Sequence, residues 1–523
     1  MSARGIFHRI SRVEPRKPEP QDISRCLEVL EAIVADRALL AGVTEETRIA
    51  LLQAAGRVCR PARYEVSRFI KELRARERAE AEAADRRVRG AAAIRKAREA
   101  PVYVAPPKVE GAMSPRGPEL ARPRHCYVCK AEYRRLHFFY DSMCPACGDY
   151  NYGKRYQTAD LKGRTALITG ARLKIGYQAA LMLLRAGARV IATTRFPHDA
   201  ALRYSREPDY AAWGERLRVH GLDLRHSPSV DIFCRYLESA EGRLDFLINN
   251  AAQTVRRPPA FYAHLLEGEA STAALPAQAL PLLAGHEKLL GTLAASTGRP
   301  GRGNRPDATG LTLWHAGGPG LGLRESARLS QIKYTYDETD LAADAFPTGK
   351  LDADLQQLDL RAKNSWRLTL AEVPTAEMLE LQLINSVAPF ILCSKLKPLM
   401  LRHRNRDKHI VNVSAMEGSF SRGTKTDKHP HTNMAKAALN MLTLTSASDY
   451  AKDGIHMNAV DTGWVTDEDP AHHSARKQQE HDFQPPLDIV DGAARVVDPI
   501  FSGTITGEHV WGKFLKDYRP TSW

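Results

Sequence analysis

Two apolar stretches separated by a glycine turn and a helical run constrain this chain more than any other feature. Thr165-Ala-Leu-Ile-Thr-Gly-Ala-Arg-Leu-Lys-Ile-Gly176 reads as a strand, a turn and a helix start. An amphipathic run follows, and then a second strand, Ala188-Arg-Val-Ile-Ala-Thr-Thr-Arg195. Such a unit sets a dinucleotide pyrophosphate on the helix N-terminus, where free N–H groups and the helix dipole meet negative charge. Gly170 permits the tight turn, and Gly176 lets the helix start approach the strand; with Ile175 they are cofactor-binding candidates. From residue 160 onward strand and helix patterns alternate, which defines an α/β fold with a doubly wound parallel sheet.

At 523 residues the chain exceeds one typical core, so further domains are expected. A hydrophobic content of 43% with mixed charge describes a soluble globular protein. No run of about 18 uncharged apolar residues occurs, so no transmembrane helix is expected. Met1 to Lys17 lacks the apolar core of a secretion signal, and a cytoplasmic location is expected. The net charge of +14 is uneven: residues 1–123 hold 25 Lys and Arg against 17 Asp and Glu. Acidic residues interleave with the basic ones, as in Lys71-Glu-Leu-Arg-Ala-Arg-Glu-Arg-Ala-Glu80, which describes solvated helices rather than a nucleic-acid arm.

Residues 1–100 are expected to form a helical arm. Ile23, Cys26, Leu27, Leu30, Ile33 and Val34 recur at helical spacing, Thr44 suits an N-cap, and Pro61 opens a long helix reaching about Glu99. Residues 101–123, rich in proline, read as a linker. Residues 124–155 then carry Cys126-Tyr-Val-Cys129 and Cys144-Pro-Ala-Cys147, two CxxC knuckles fourteen residues apart. This spacing points to a tetrahedral thiolate zinc site in a small zinc-ribbon-like module. A redox CxxC would need a thioredoxin-like context, which is missing here. With four thiolate ligands the zinc would be structural. Cys26, Cys59, Cys234 and Cys393 read as small buried hydrophobes.

Further segments follow at telling distances: Leu222-Asp223-Leu224, Asp245-Phe-Leu-Ile-Asn-Asn-Ala251, Asn385, Ile410-Val-Asn-Val-Ser414 and Lys436. With the glycine turn they resemble the short-chain dehydrogenase/reductase family over residues 160–523. That resemblance implies a Rossmann domain and a bound nicotinamide dinucleotide. About 130 residues separate Asn250 from the helix of Asn385, more than the family needs, so an insert spans about 256–370. It reads equally as a lid over the cleft, a peripheral excursion or an oligomer contact; Trp314 and Trp366 suggest that part of it packs on the core.

At the end of the second strand stands Arg195, where an acidic residue would repel a 2′-phosphate. Arg172, and Lys174 beside it, add positive charge, so NADP(H) is the expected cofactor. By resemblance Asp223 holds the adenine amino group, Asn249 and Ala251 belong to the segment bracing the central strands, and Thr462 lies beside the nicotinamide in place of a proline. Asn385 matches the family's asparagine and Lys436 its lysine. Four residues before Lys436, however, stands Thr432 where the family has its tyrosine acid. The serine position falls on Ala415, with Ser414 one residue early and therefore on the other face. Threonine cannot ionise usefully near neutral pH, so another acid is required. His429, His431, Glu417 and Asp461 are candidates, each with an ordinary structural reading beside it.

These residues lead to an NADP(H)-dependent oxidoreductase with altered serine and tyrosine positions, acting on an unnamed small molecule. The alternative is a catalytically silent NADP(H)-binding regulator or scaffold that recruits a protein partner through the zinc module or helical arm. Neither nucleic acid nor membrane is expected as a partner, and the resemblance implies a homo-oligomer.

Overall fold

The computed structural model describes residues 18–109, 117–297, 318, 320–334 and 342–523. Strands β1 (Glu119–His125) and β2 (Glu132–Arg135) form a small antiparallel pair. The remaining strands, β3 (Thr165–Thr169), β4 (Arg189–Thr194), β5 (Leu217–Gly221), β6 (Phe246–Asn249), β7 (Lys408–Ser414), β8 (Ile455–Asp461), β9 (Phe514–Lys516) and β10 (Arg519–Thr521), form one sheet. Its order is β10-β9-β8-β7-β6-β3-β4-β5. All pairs are parallel except β9 with β10.

The chain builds β3, β4 and β5 outward, then returns to lay β6 against the other side of β3. Strand order therefore reverses between β3 and β6, and in open α/β sheets a ligand crevice opens there at the carboxyl ends. Every residue of β3 and β7 is buried, as expected of parallel strands covered on both faces. One face packs Ala179 and Leu183 of helix Lys174–Arg185 with Val496 and Phe501 of helix Ile489–Thr506. The other packs Phe233, Leu392, Leu396 and Met400.

Among the described residues one helical stretch, Thr375–Leu401, is long and apolar enough to cross a membrane by length and composition. Half of its apolar window is buried, and Leu392, Leu396 and Met400 fill the core, so it is a core helix.

Residues 82–523 form one compact unit that includes the cysteine module. Arg155 reaches Asp488 at 2.5 Å, Tyr140 donates to Asp491 at 2.5 Å, and Arg495 donates to Asn151 at 2.7 Å. These links explain why the module is continuous with the sheet domain. The stretch expected as a linker holds the start of β1. The long helix spans Arg63–Gly90, and a separate turn of helix follows at Ala93–Ala97.

The other compact unit ends at Ala81. Its helices Pro20–Ala35 and Glu45–Cys59 bury no residue; Ile23 is 62% exposed and Val34 80%. Cys26 and Cys59 are exposed there, whereas Cys234 and Cys393 are buried as expected of small hydrophobes. The difference follows from the packing: helices that bury no residue offer no interior to a thiol.

Part of the insert is structural. Helix Leu280–Thr297 places Leu282, Leu283 and Leu289 in the two sheet cores beside edge strand β5. Covering an edge strand removes its open hydrogen-bonding groups from solvent. Trp314 lies outside the described residues.

Candidate functional site

At the strand-order reversal lies a cleft of about 430 Å³. Gly170 has φ +67°, and a Cβ there would stand 2.8 Å from Ala251 Cα. At Gly176 a Cβ would fall 2.3 Å from the Gly170 carbonyl oxygen and 2.4 Å from Asn250 Nδ2. Both positions therefore demand glycine. Asn250 donates through Nδ2 to the carbonyls of Thr169 and Gly170 at 3.0 and 3.1 Å, tying β6 to the turn. Sequence reasoning passed over Asn250; its signal was the adjacent pair Asn249-Asn250. Asn249 itself donates to Asn412 at 2.8 Å and braces β6 on β7. Ile175 lines the cleft beside the turn.

At the far end of the cleft, Arg195 stacks on Tyr262, its guanidinium carbon 4.6 Å from the ring centroid, and donates to the Tyr262 hydroxyl at 2.7 Å. Burial would raise the Tyr262 pKa, but Arg195, with Arg257 and Arg172 nearby, holds it below the ordinary phenol value. Arg195 makes no ion pair with any carboxylate among the described residues. Arg172 differs: it is buried and paired with Asp199 at 2.7 Å. Lys174, with φ +55°, lies 3.7 Å from Asp354. Tyr262 belongs to the insert and carried no sequence signal.

Asp223 lines the same end but is 1% exposed, and both its oxygens bond the Arg225 guanidinium, at 3.0 and 2.6 Å. Arg225 continues to Glu380 at 2.7 Å. The backbone N–H of Asp223 donates to the Gly322 carbonyl in the insert. The carboxylate is thus engaged within the protein, an arrangement set by an arginine two residues away.

At the other end lie Ser414, Ala415, Lys436 and Thr462. Asn385 sits in a π-helical turn, Leu383–Val387, between two α-helical stretches. It clamps the backbone of Gln253, accepting from its N–H at 2.8 Å and donating to its carbonyl at 2.9 Å. Lys436 is buried and donates to the Val413 carbonyl at 2.8 Å. Burial pushes its pKa down to about 8, with the Glu417 charge partly opposing. Ser414 donates to Asn440 at 2.6 Å. Thr462 has its hydroxyl only 3.5 Å from the Gly463 carbonyl.

None of the residues considered as replacement acids lines the cleft. His431 is 1% exposed, faces buried Glu377 at 3.4 Å and does not line the cleft. Thr432 does not line it either, and its buried hydroxyl has no hydrogen-bond partner among the described residues. His429 donates from Nδ1 to the Trp366 carbonyl at 2.9 Å. Glu417 pairs with Arg422 and Asp461 with Lys516, each at 2.7 Å.

One stretch of the insert crosses the cleft. Gln356 lines it, Asp359 pairs with Arg257 and Arg361, Asn364 donates to the Glu468 carbonyl at 2.8 Å, and Arg367 pairs with Asp469 at 2.8 Å. Residues 356–367 thereby tie the segment after β6 to the segment after β8.

The four cysteines Cys126, Cys129, Cys144 and Cys147 converge, with all sulfurs within 4.8 Å of one another. Cys129 and Cys144 sulfurs stand 3.8 Å apart. That is about the edge of a tetrahedron whose Zn–S bonds are about 2.3 Å long.

Comparison with known proteins agrees with this architecture. Residues 164–265 match the short chain dehydrogenase model, and 349–486 match the enoyl-(acyl carrier protein) reductase model. The chain is 31% identical over 390 residues to an uncharacterized protein of Acanthamoeba polyphaga mimivirus, covering 72% of this chain and 71% of that one. It is 41% identical over 104 residues to human retinol dehydrogenase 14, covering 17% of this chain and 31% of the relative. A crystal structure of a short-chain dehydrogenase/reductase from Burkholderia multivorans with bound NADP aligns at 17% identity, TM-score 0.38, over 69% of this chain and 99% of that one. The sheet order and the helices on both faces define a Rossmann-type α/β domain. The chain belongs to the short-chain dehydrogenase/reductase family. The interval between the two matched regions falls inside the insert.

Proposed function

We propose that the protein is an NADP(H)-dependent oxidoreductase whose proton donor differs from the family's tyrosine. One observation carries this reading: Arg195 and Lys436 line a single cleft, and neither is ion-paired with a carboxylate among the described residues. A buried or half-buried cation without a carboxylate partner favours an anionic ligand. Arg195 suits a 2′-phosphate, and the N-terminus of helix Lys174–Arg185 suits the pyrophosphate. When bound, the nicotinamide supplies or accepts a hydride.

Lys436 would hold the nicotinamide ribose and, with its pKa lowered to about 8, donate the proton that Thr432 cannot. Asn385 acts by fixing Gln253 in the cleft wall. The 356–367 strap would exclude water and shape the pocket for a carbonyl substrate. The four cysteines fit structural zinc: every tetrahedral position is supplied by the chain, which leaves none for a reactant.

A silent NADP(H)-binding protein is the second reading, favoured by the engagement of His429 and Ser414 elsewhere and by the burial of His431 outside the cleft. The test is NADPH oxidation by purified protein with a carbonyl panel and with cell extract. Oxidation that Lys436→Ala abolishes supports the enzyme; an inert wild type that binds NADPH supports the silent protein.

A further inference from the structure

Tyr127 lies between the first two cysteines of the module, yet its hydroxyl reaches the wall of the cofactor cleft. The backbone N–H of Trp464 donates to it at 2.9 Å. Trp464 belongs to the loop Thr462–Thr466, whose two ends line the cleft. The neighbouring Gly463 has φ +76°, and a Cβ there would stand 3.2 Å from the Tyr127 oxygen and 2.4 Å from Leu487 Cδ1. The knuckle and the loop therefore meet without a spare atom between them. Lys516 lies 5.9 Å from the Tyr127 ring centroid and pairs with Asp461, which leads into the same loop.

The apolar packing repeats this connection. Cys126, Tyr133 and Met143 of the module share one buried cluster with Val465 and Leu487. Ile175, at the start of the helix that follows the glycine turn, packs against that cluster and lines the cleft. The module thus touches both walls, the pyrophosphate side through Ile175 and the opposite side through Trp464 and Val465.

The knuckle's backbone seats Tyr127 against the segment that leads into Cys144. Cys126 N–H donates to Ala131, Tyr127 N–H to Ser142, and Lys130 takes φ +64° to close the turn. The first knuckle is joined to Cys144 and Cys147 through the Ser142 bond and through the four sulfurs, which a metal would join.

We infer that Tyr127 is a positioning residue through which metal in the four-cysteine site holds the Thr462–Thr466 loop in its cofactor-binding form. Zinc and NADP(H) then bind to one protein cooperatively, although no residue of the module lines the cleft. This rests on the NADP(H) and zinc assignments above. Two sites that favour the same arrangement of a shared loop must strengthen one another reciprocally.

The test uses the full chain, NADPH titration, metal analysis and zinc extraction by a chromogenic chelator. Tyr127→Phe keeps the ring beside Gly463 and removes the acceptor. Its zinc content should match wild type, while its NADPH affinity should fall roughly three- to tenfold, the range for one lost hydrogen bond. Metal-stripped wild type should show at least the same loss. NADPH should protect wild-type zinc from the chelator and protect Tyr127→Phe less, a difference that a merely structural role would not produce. Should stripping unfold the chain, the Tyr127→Phe titration and protection assay decide the matter. A wild type that lacks zinc or NADPH binding defeats the assignments beneath the inference. A wild type that binds both, with Tyr127→Phe identical to it in affinity and protection, overturns the coupling alone.

Discussion

The indole of Trp366 lies flat on the imidazole of His429, ring centroids 3.8 Å apart and planes 6° from parallel. His429 occupies the N-cap of helix Pro430–Lys452 with φ +42°, an unusual conformation for a non-glycine residue. Its N–H donates to the Leu368 carbonyl and its ring to the Trp366 carbonyl. The insert therefore fixes the start of the helix that carries Lys436. Trp366→Ala should cost about 1–3 kcal/mol in denaturant unfolding, less than a fully buried tryptophan because the indole is half-exposed. Amide exchange over residues 429–434 should quicken. Unchanged exchange would mean that the strap rests on the helix without holding it.

Lys436 gives a pH dependence with a defined sign. Its folded-state pKa is lowered from 10.5 to about 8, chiefly by burial. Between those values the unfolded chain holds a proton that the folded chain has released, so this group makes stability rise with pH from about 8 to 10.5. NADPH affinity and carbonyl reduction should move the opposite way and decline above about pH 8, because both need the ammonium. Lys436→Met should abolish the pH dependence of binding in that window. A binding curve that stays flat through pH 9 in wild type would remove Lys436 from the site.

Thr432 stands where the family's tyrosine would be, buried and with its hydroxyl unpartnered among the described residues. Thr432→Val removes that polar atom at nearly constant volume. It should be neutral or stabilising by about 1 kcal/mol in chemical denaturation, with NADPH oxidation unchanged. Loss of turnover with retained NADPH binding would restore Thr432 to the chemistry.

Metal analysis should find one zinc per chain, and Cys147→Ser should lose it. The melting temperature of the 82–523 unit should then fall, because structural zinc contributes folding free energy directly. The loss should reach helix Ile489–Thr506, whose residues Asp491 and Arg495 bond the module at Tyr140 and Asn151. Equal melting of wild type and variant would leave the cysteines without a structural metal.

The parallel sheet, the glycine turn and the four converging cysteines were legible because each depends on local sequence: continuous apolar runs, a turn that excludes Cβ, and paired knuckles. Asn385 and Lys436 were legible through resemblance. What escaped depends on long-range packing. Nothing near Asp223 in sequence except Arg225 hints that its carboxylate would be taken, and Tyr262 meets Arg195 only because the insert folds back on β4. The approach of His431 to Glu377 brings together two helices more than fifty residues apart, and no periodicity carries that information. The module was read as a separate domain because its linker is proline-rich, whereas Arg155 and Tyr140 bind it into the sheet unit through partners over three hundred residues away.

The account stands most directly on Arg195. Its guanidinium is stacked on Tyr262, faces the cleft and has no carboxylate partner among the described residues, whereas Arg172 is held by Asp199. Calorimetric titration of wild type, Arg195→Ala and Arg172→Ala with NADPH and NADH measures this. Wild type should prefer NADPH, and Arg195→Ala should lose about ten- to a hundredfold of NADPH affinity, the worth of a charged hydrogen bond, with NADH binding unchanged. Arg172→Ala should lose less. Equal affinity of wild type for the two cofactors, or an Arg195→Ala variant that binds NADPH as wild type does, would contradict the assignment of this cleft to NADP(H).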